Sequence, residues 1–480
     1  VSARPFIAAT LATWLTVSPE VQAFDVLRTE ASIPTTAAGA IAPAADGCVF
    51  GTPGNPFLLA EAVERALCGN PKTRAAWADV KAQAAALGMA RSGYLPTVSA
   101  TAQRVRDQST TDVTGHPTLS SANASGVNSE SVSLDWTLYD FGVRAAAVRH
   151  ASALLAAARS TQDATLQGLF VTVAKDYYTA QAAAGAVTAA LDIEHMASES
   201  AKASTARVER GIAPISDALQ AQTAYIQAVL SRNKARGAWK TAIGTLAADL
   251  ALPPDTPLQL PAVADGVKPD AAFSHSIGEL MEDARRTHPA VLAAQAQVEA
   301  AAARMDETRA QGLPNLILVS KYSRNNQPAS LGLGAAQFPA TGRDWYVGVQ
   351  ITIPFFEGFN RTYQVRQTQA QLERQQDTLD ETRQEVGLEV WNSYQAVQVS
   401  MNGVEDSAAL FDIAQRSFLA TQRRYQAGVG NILELLNAQT ALANAQQQRI
   451  QALADWRSTR LRFAGSLGRL DLSRLADSPQ

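Results

Sequence analysis

The chain has 480 residues, with 41 Lys and Arg against 44 Asp and Glu, for a formal net charge of -3. The basic residues are spread along the chain in ones and twos, so nothing argues for a nucleic-acid surface built from clustered Lys and Arg. Only 18% of residues are charged, low for a chain so rich in helix formers such as Ala, Gln, Leu, Arg and Glu.

At the N-terminus, Arg4 precedes an apolar run from Phe6 to Val17, and Val21-Gln22-Ala23 offers small residues where a signal peptidase cleaves. Residues 1–23 are therefore expected to be a signal peptide, with Phe24 as the mature start. Neither cysteine directly follows the apolar run, which disfavours a lipid anchor. No later apolar run reaches the roughly 18 residues of a transmembrane helix. Residues 24–57, rich in Ala, Pro, Gly and Thr, read as an extended periplasmic arm. Cys48 and Cys68 leave two readings open: a disulfide in an oxidising compartment, or two small apolar residues in a reducing one. No His or second Cys pair joins them, which argues against a metal site.

The rest of the chain occurs twice, in a first copy over residues 58–252 and a second over residues 277–467, with a linker at 253–276 and a tail at 468–480. Asn70-Pro71 matches His288-Pro289, Leu95-Pro96 matches Leu313-Pro314, and Gly142 matches Gly358. Gly211 with Ala221-Gln222-Thr223 matches Gly428 with Ala438-Gln439-Thr440, at an offset of about 217 residues, the mark of a structural duplication. Each copy opens with a helix interrupted at its proline. The period then changes to two. In the first copy, a hairpin at about 94–140 uses Thr97–Gln103 and Ser131–Leu138, with residues 107–129 expected as loop. In the second, a hairpin at about 313–356 uses Leu316–Tyr322, whose facing alternation alone does not assign, and Trp345–Ile353; Ser323 to Thr341 is the expected loop. A glycine and a proline-free helical stretch follow: Val143 to Arg210 in one copy, Asn360 to Ala427 in the other, each on the order of 100 Å if unbroken. Val365, Leu372, Leu379 and Val386 recur every seven residues, a coiled-coil seam. Gly211 and Gly428 suit left-handed caps before a further helix from Ser216 and from Ile432.

Strands of about ten residues are long enough to cross a bilayer when tilted. Alternation assigns Val132, Leu134, Trp136, Leu138, Val347, Val349 and Ile351 to lipid, and Ser131, Ser133, Thr137, Gln350 and Thr352 to water. Four strands cannot stay open in hydrocarbon, where every unpaired backbone group costs several kcal/mol. Barrels begin at about 8 strands, and about 12 would form from three chains. The expected fold is mixed: strands that close into a transmembrane β-barrel, and long coiled-coil helices that pack into a tube. A soluble sandwich with one buried face is the competing structural reading. As an enzyme the chain offers little. His116, His150, His195, His275 and His288 are dispersed, and no phosphate loop or nucleophile elbow is present.

The duplicated order of helix, hairpin and long helices, Leu138-Tyr139-Asp140-Phe141-Gly142 after a strand, and the Gly to Ala-Gln-Thr turns resemble the TolC-type outer-membrane channels. The resemblance covers about Leu58 to Leu467. It implies no cofactor and a homotrimeric twelve-stranded transmembrane β-barrel in outer-membrane lipid, continuous with a long α-helical coiled-coil periplasmic tunnel. A periplasmic adaptor (membrane fusion) protein and an inner-membrane transporter, of ABC type in the toxin-exporting type I systems, dock at its tips, the turns at Gly211 and Gly428. An exported protein or small molecule passes through. Carried over by position, the periplasmic constriction falls on Asp217, Gln220, Glu434 and Asn437, and Tyr425 matches a latch tyrosine. Asn437 replaces an acidic residue, and Gly430 replaces a basic latch residue, so a salt-bridged closure of that kind is in question. Asp217 and Glu434 also read simply as carboxylates favoured in a first helical turn. Drug or metal efflux is the alternative within the family, and a periplasmic coiled-coil scaffold the alternative outside it.

Overall fold

The computed structural model describes residues 25–31, 33–39, 48–262, 276–326 and 340–470. The expected signal peptide, more than half of the linker and most of the tail lie outside the described residues. The elements run α1 (Leu59–Gly69), α2 (Pro71–Ser92), β1 (Thr97–Thr111), β2 (Ser121–Tyr139), α3 (Val143–Glu209) and α4 (Ile215–Asp249) in the first copy. The second has α5 (Ile277–Thr287), α6 (Pro289–Ala310), β3 (Asn315–Asn325), β4 (Gly342–Thr352), α7 (Asn360–Gln426) and α8 (Ile432–Ser466). Corresponding helices have equal lengths of 11, 22, 67 and 35 residues in both copies. Pro71 and Pro289 each start a helix, where the missing N–H costs nothing. No helix among the described residues is long and apolar enough to cross a membrane, which says nothing of a barrel.

The chain divides into two compact units. One holds Lys81–Ser152 and Ala300–Leu372, with the described residues up to Ile33. Its centre is an antiparallel sheet in the order β1-β2-β3-β4. The first hairpin is longer than the sequence pattern suggests. The ladder continues to Thr111↔Ser121, so most of residues 107–129 are strand and the connection is confined to 112–120, with a short 3-10 turn at Pro117–Leu119. Alternation fades there because Ser, Thr and Asn occupy both faces, yet these wet residues still pair along an extended backbone. Hydroxyls reinforce the pairing lower down, with Ser99 to Ser133 at 2.8 Å and Thr101 to Ser131 at 2.7 Å. In the second copy β3 runs on to Asn325; residues 327–339 of the expected loop lie outside the described residues.

Register settles the facing of β3. Leu318 pairs with Trp136 and Val349, and Ser320 pairs with Leu134 and Val347. One face therefore carries Val98, Ala100, Val132, Leu134, Trp136, Leu316, Leu318, Tyr322, Trp345, Val347, Val349 and Ile351. Leu138 departs from strict alternation. The register shifts between Thr137 and Tyr139, so Tyr139 is paired with Leu316 and Leu138 is the extra residue of a bulge.

Strand-to-helix junctions are tied by matched arginines. Arg144 Nε donates to Asp140 Oδ2 at 2.8 Å and Nη1 to the Thr137 carbonyl at 2.6 Å, with its guanidinium 4.7 Å from the Tyr94 ring centre. Arg361 bonds Glu357 at 3.1 Å and Gln311 Oε1 at 3.1 Å.

The second unit holds Pro34–Val80, Ala153–Glu299 and Glu373–Gln480. Phe57, Val63, Leu67, Leu166, Phe170 and Leu246 form one core, and Leu280, Val291, Leu379, Val386, Val390 and Phe463 another. Along α7 the seam continues through Leu379, Val386, Val390, Val397 and Val404, all buried. From Pro34 onward the arm is bound to this unit. Trp77 Nε1 donates to the Pro34 carbonyl at 2.9 Å, and Cys48 is bonded to Cys68 with their Cα atoms 5.6 Å apart.

Candidate functional site

At the turn after α3, the Gly211 N–H donates to the Val208 carbonyl at 2.9 Å and the Ile212 N–H to that of Arg207 at 3.0 Å. After α7, Gly428 donates to Tyr425 and Val429 to Arg424, both at 3.1 Å. The two glycines have φ of 73° and 80°, left-handed values that a side chain would strain. Copy two adds a side-chain cap, Asn431 Oδ1 accepting from the Leu433 N–H at 2.9 Å; copy one has Pro214 there, which brings no such oxygen.

Tyr425 is buried among Ala221, Ala414, Phe418, Ile432 and Leu435. Its carbonyl accepts from Arg207 Nη1 at 2.8 Å, and the guanidinium stands 4.8 Å from the centre of its ring. This contact links the long helix of one copy to the long helix of the other. The Tyr425 hydroxyl is buried and has no hydrogen-bond partner among the described residues. Glu434 pairs with Arg424 at 3.4 Å, both side chains more than half exposed, so the pair contributes little stability in high dielectric. Asp217, in the first turn of α4, accepts from Ser216 Oγ at 3.4 Å. Gln220 and Asn437 are exposed. Of the carried-over residues, no hydrogen bond among the described residues joins Asp217 to Tyr425 or Gln220 to Asn437.

Gly430 has a steric reason. A Cβ there would lie 2.8 Å from the Tyr425 backbone nitrogen and 3.0 Å from the Arg424 carbonyl carbon, neither of which can swing aside. A larger residue, basic or not, would force the backbone of this turn to shift. Sequence reasoning did not find Arg207, although the duplication held the signal. Arg207 and Arg424 each stand four residues before the cap glycine, and Asp217 and Glu434 six after it. The matched arginines make different contacts: Arg424 folds onto its own hairpin, and Arg207 reaches the other copy.

A carboxylate pair lies elsewhere in the same unit. Burial, with Asp176 beside it, pushes the Asp249 carboxyl up to about 6, against a smaller opposing pull from Lys72. Among the described residues no group of three His, Cys, Asp or Glu could hold a metal.

The sheet presents one apolar face and two unpaired edges, β1 and β4, and the unit of long helices ends in two capped hairpin turns. Together these define a chain of the outer-membrane channel class. The chain belongs to the outer membrane efflux protein family, whose model matches residues 62–251 and 280–469. Among curated relatives, Protein CyaE of Bordetella pertussis is 32% identical over 98% of this chain and 97% of its own length. The alkaline protease secretion protein AprF of Pseudomonas aeruginosa is 30% identical over 37% of each chain. The solved outer membrane protein VceC of Vibrio cholerae shares the fold at a TM-score of 0.70 and 18% identity, covering 85% of this chain and 96% of its own. The protein is thus a non-enzymatic outer-membrane channel for export, reaching into the periplasm.

Proposed function

We propose that three copies of this chain close into a twelve-stranded barrel in the outer membrane, with a twelve-helix periplasmic tunnel, and export protein by the type I route. The observation that carries this is the open sheet. Its apolar face runs across all four strands, and a four-stranded sheet with free edges cannot persist in hydrocarbon. Pairing β4 of one copy with β1 of the next removes every edge. The partners are then a periplasmic adaptor, docking at the turns around Gly211 and Gly428, and an inner-membrane ABC-type transporter. Protein cargo is supported by the similarity to AprF, whose name records alkaline protease secretion. Cys48 and Cys68 are bonded to each other, so neither offers a thiol for a lipid anchor.

The tips form the gate. Asp217, Gln220, Glu434 and Asn437 line the constriction, and Tyr425 with Arg207 holds the two hairpins together. Threefold symmetry turns Glu434 into a ring of carboxylates, each tempered by Arg424. Deleting the gene should abolish secretion of the transporter's protein cargo and leave drug resistance unchanged; loss of resistance with intact secretion would move the reading to efflux. In planar bilayers, Glu434→Ala should lower cation selectivity, and unchanged reversal potentials would remove Glu434 from the constriction.

A further inference from the structure

Beyond the row of Tyr322 and Trp345, the outward face of the sheet changes from apolar to basic. The next row in the register is Ala102, Glu130, Arg324 and Arg343. On β1, Arg104 and Arg106 follow in the same phase as Val98 and Ala100 and so share their face. All four arginines and Glu130 are exposed. Among the described residues no ion pair or hydrogen bond engages any of the four guanidinium groups. Lys321 has the opposite phase, paired with Ser133 and Tyr346, and faces the other way.

Arg324 and Arg343 are direct cross-strand partners. Like charges in that position repel each other, and Glu130 is the one carboxylate in the row to offset them. A sheet that keeps such a pair just outside Tyr322 and Trp345, residues typical of a membrane interface, is completed by an anion from the membrane itself. Guanidinium forks match phosphate oxygens two at a time. Four strands at about 4.8 Å spacing spread these groups over roughly 14 Å, wider than a single phosphate headgroup.

We propose that Arg104, Arg106, Arg324 and Arg343 bind the phosphates of a phosphorylated glycolipid of the outer leaflet, a lipopolysaccharide. Its sidedness rests on the closed-barrel reading: helices in the periplasm put the far ends of the strands at the cell surface. Closure also sets β4 beside β1 of the next copy, gathering Arg343 with that copy's Arg104 and Arg106 at each seam.

The test is native mass spectrometry of the purified full-length protein, titrated with bisphosphorylated lipid A, dephosphorylated lipid A or phosphatidylglycerol. Bisphosphorylated lipid A should bind at least about tenfold tighter than either of the others, from the charge-assisted bonds it alone can multiply. Arg324→Gln with Arg343→Gln, and Arg104→Gln with Arg106→Gln, should each reduce that preference about fivefold or more, whereas Lys321→Gln leaves it unchanged. Equal binding of the three lipids to the wild-type protein, or double variants that bind as the wild type does, would overturn the proposal. Unheated gels separate the two failures. A wild-type trimer without lipid A preference refutes the lipid site alone, and a wild-type monomer refutes the closed barrel. Should either double variant not assemble, the wild-type comparison of the three lipids decides.

Discussion

Replacing Arg207 with Ala tests the link between the two hairpins most directly. The side chain contributes a charged donor to the Tyr425 carbonyl at 2.8 Å and a guanidinium 4.8 Å from the ring centre. A charge-assisted bond contributes about 1.5–3 kcal/mol, and a half-exposed guanidinium beside an aromatic ring about 0.5–1 kcal/mol. Arg207 is only half-buried, and its Nε is desolvated without a partner, so truncation also relieves a cost. The lower end applies: about 2 kcal/mol per chain, or about a 30-fold shift from linked to separated hairpins. In planar-bilayer recordings, Arg207→Ala should raise the fraction of time in high-conductance states and lower the voltage needed to reach them. Arg207→Lys keeps the charge but loses the planar fork and should lie between. Conductance histograms of Arg207→Ala that superimpose on the wild type would refute the argument, because the link would then hold nothing closed.

Gly430→Ala drives a Cβ into backbone atoms of the last turn of α7 and should cost about 1–3 kcal/mol, read as faster limited proteolysis between Tyr425 and Ile432; an unchanged cleavage rate would show that the turn yields freely. Replacing both Cys48 and Cys68 with Ser removes a cross-link between residues 20 apart in sequence. By the loop-entropy argument this lowers stability by about 3 kcal/mol, and the arm should become protease-sensitive at temperatures where the long helices stay folded; equal protection would show that the arm is held by its hydrogen bonds alone, from Trp77 to the Pro34 carbonyl and from Gln162 Nε2 to the Ala37 carbonyl at 3.3 Å. Asp249 has a folded pKa raised to about 6 from an ordinary value of 3.8, so its protonated form favours the fold. Its contribution is fully present below about pH 4 and lost as pH rises through about 6. Asp249→Asn should therefore raise stability at pH 7–8, by about 1 kcal/mol or less after solvent screening, and flatten the pH dependence of Tm between 4 and 6. A Tm difference independent of pH would exclude titration as the cause.

The helical architecture was legible because its punctuation is chemical. Pro71, Pro289, Gly211 and Gly428 mark helix ends that the fold places within a residue or two of the sequence reading. The upper part of the first hairpin was not legible. From Asp107 to Ser129 both strand faces are wet, and a pattern that depends on a contrast between faces carries no signal when the contrast is absent. The bulge at Leu138 is likewise invisible to alternation, since one inserted residue changes register without changing composition. At the tips, the family resemblance pointed to Tyr425 and Glu434, but the partner of Tyr425 lies 218 residues away in sequence. Only the matching of Arg207 to Arg424 hinted that this arginine had a task.

Equal helix lengths in the two copies have a consequence for how such a chain can change. With 11, 22, 67 and 35 residues in each, the halves act as matched rulers. A single inserted residue in any helix rotates everything beyond it by about 100° and turns its apolar stripe away from its neighbours. The hairpins are free of that constraint, with strands of 15 and 19 residues in one copy against 11 and 11 in the other. Length variation, epitope tags and foreign loops belong at residues 112–120, where the chain already departs from its own duplicate.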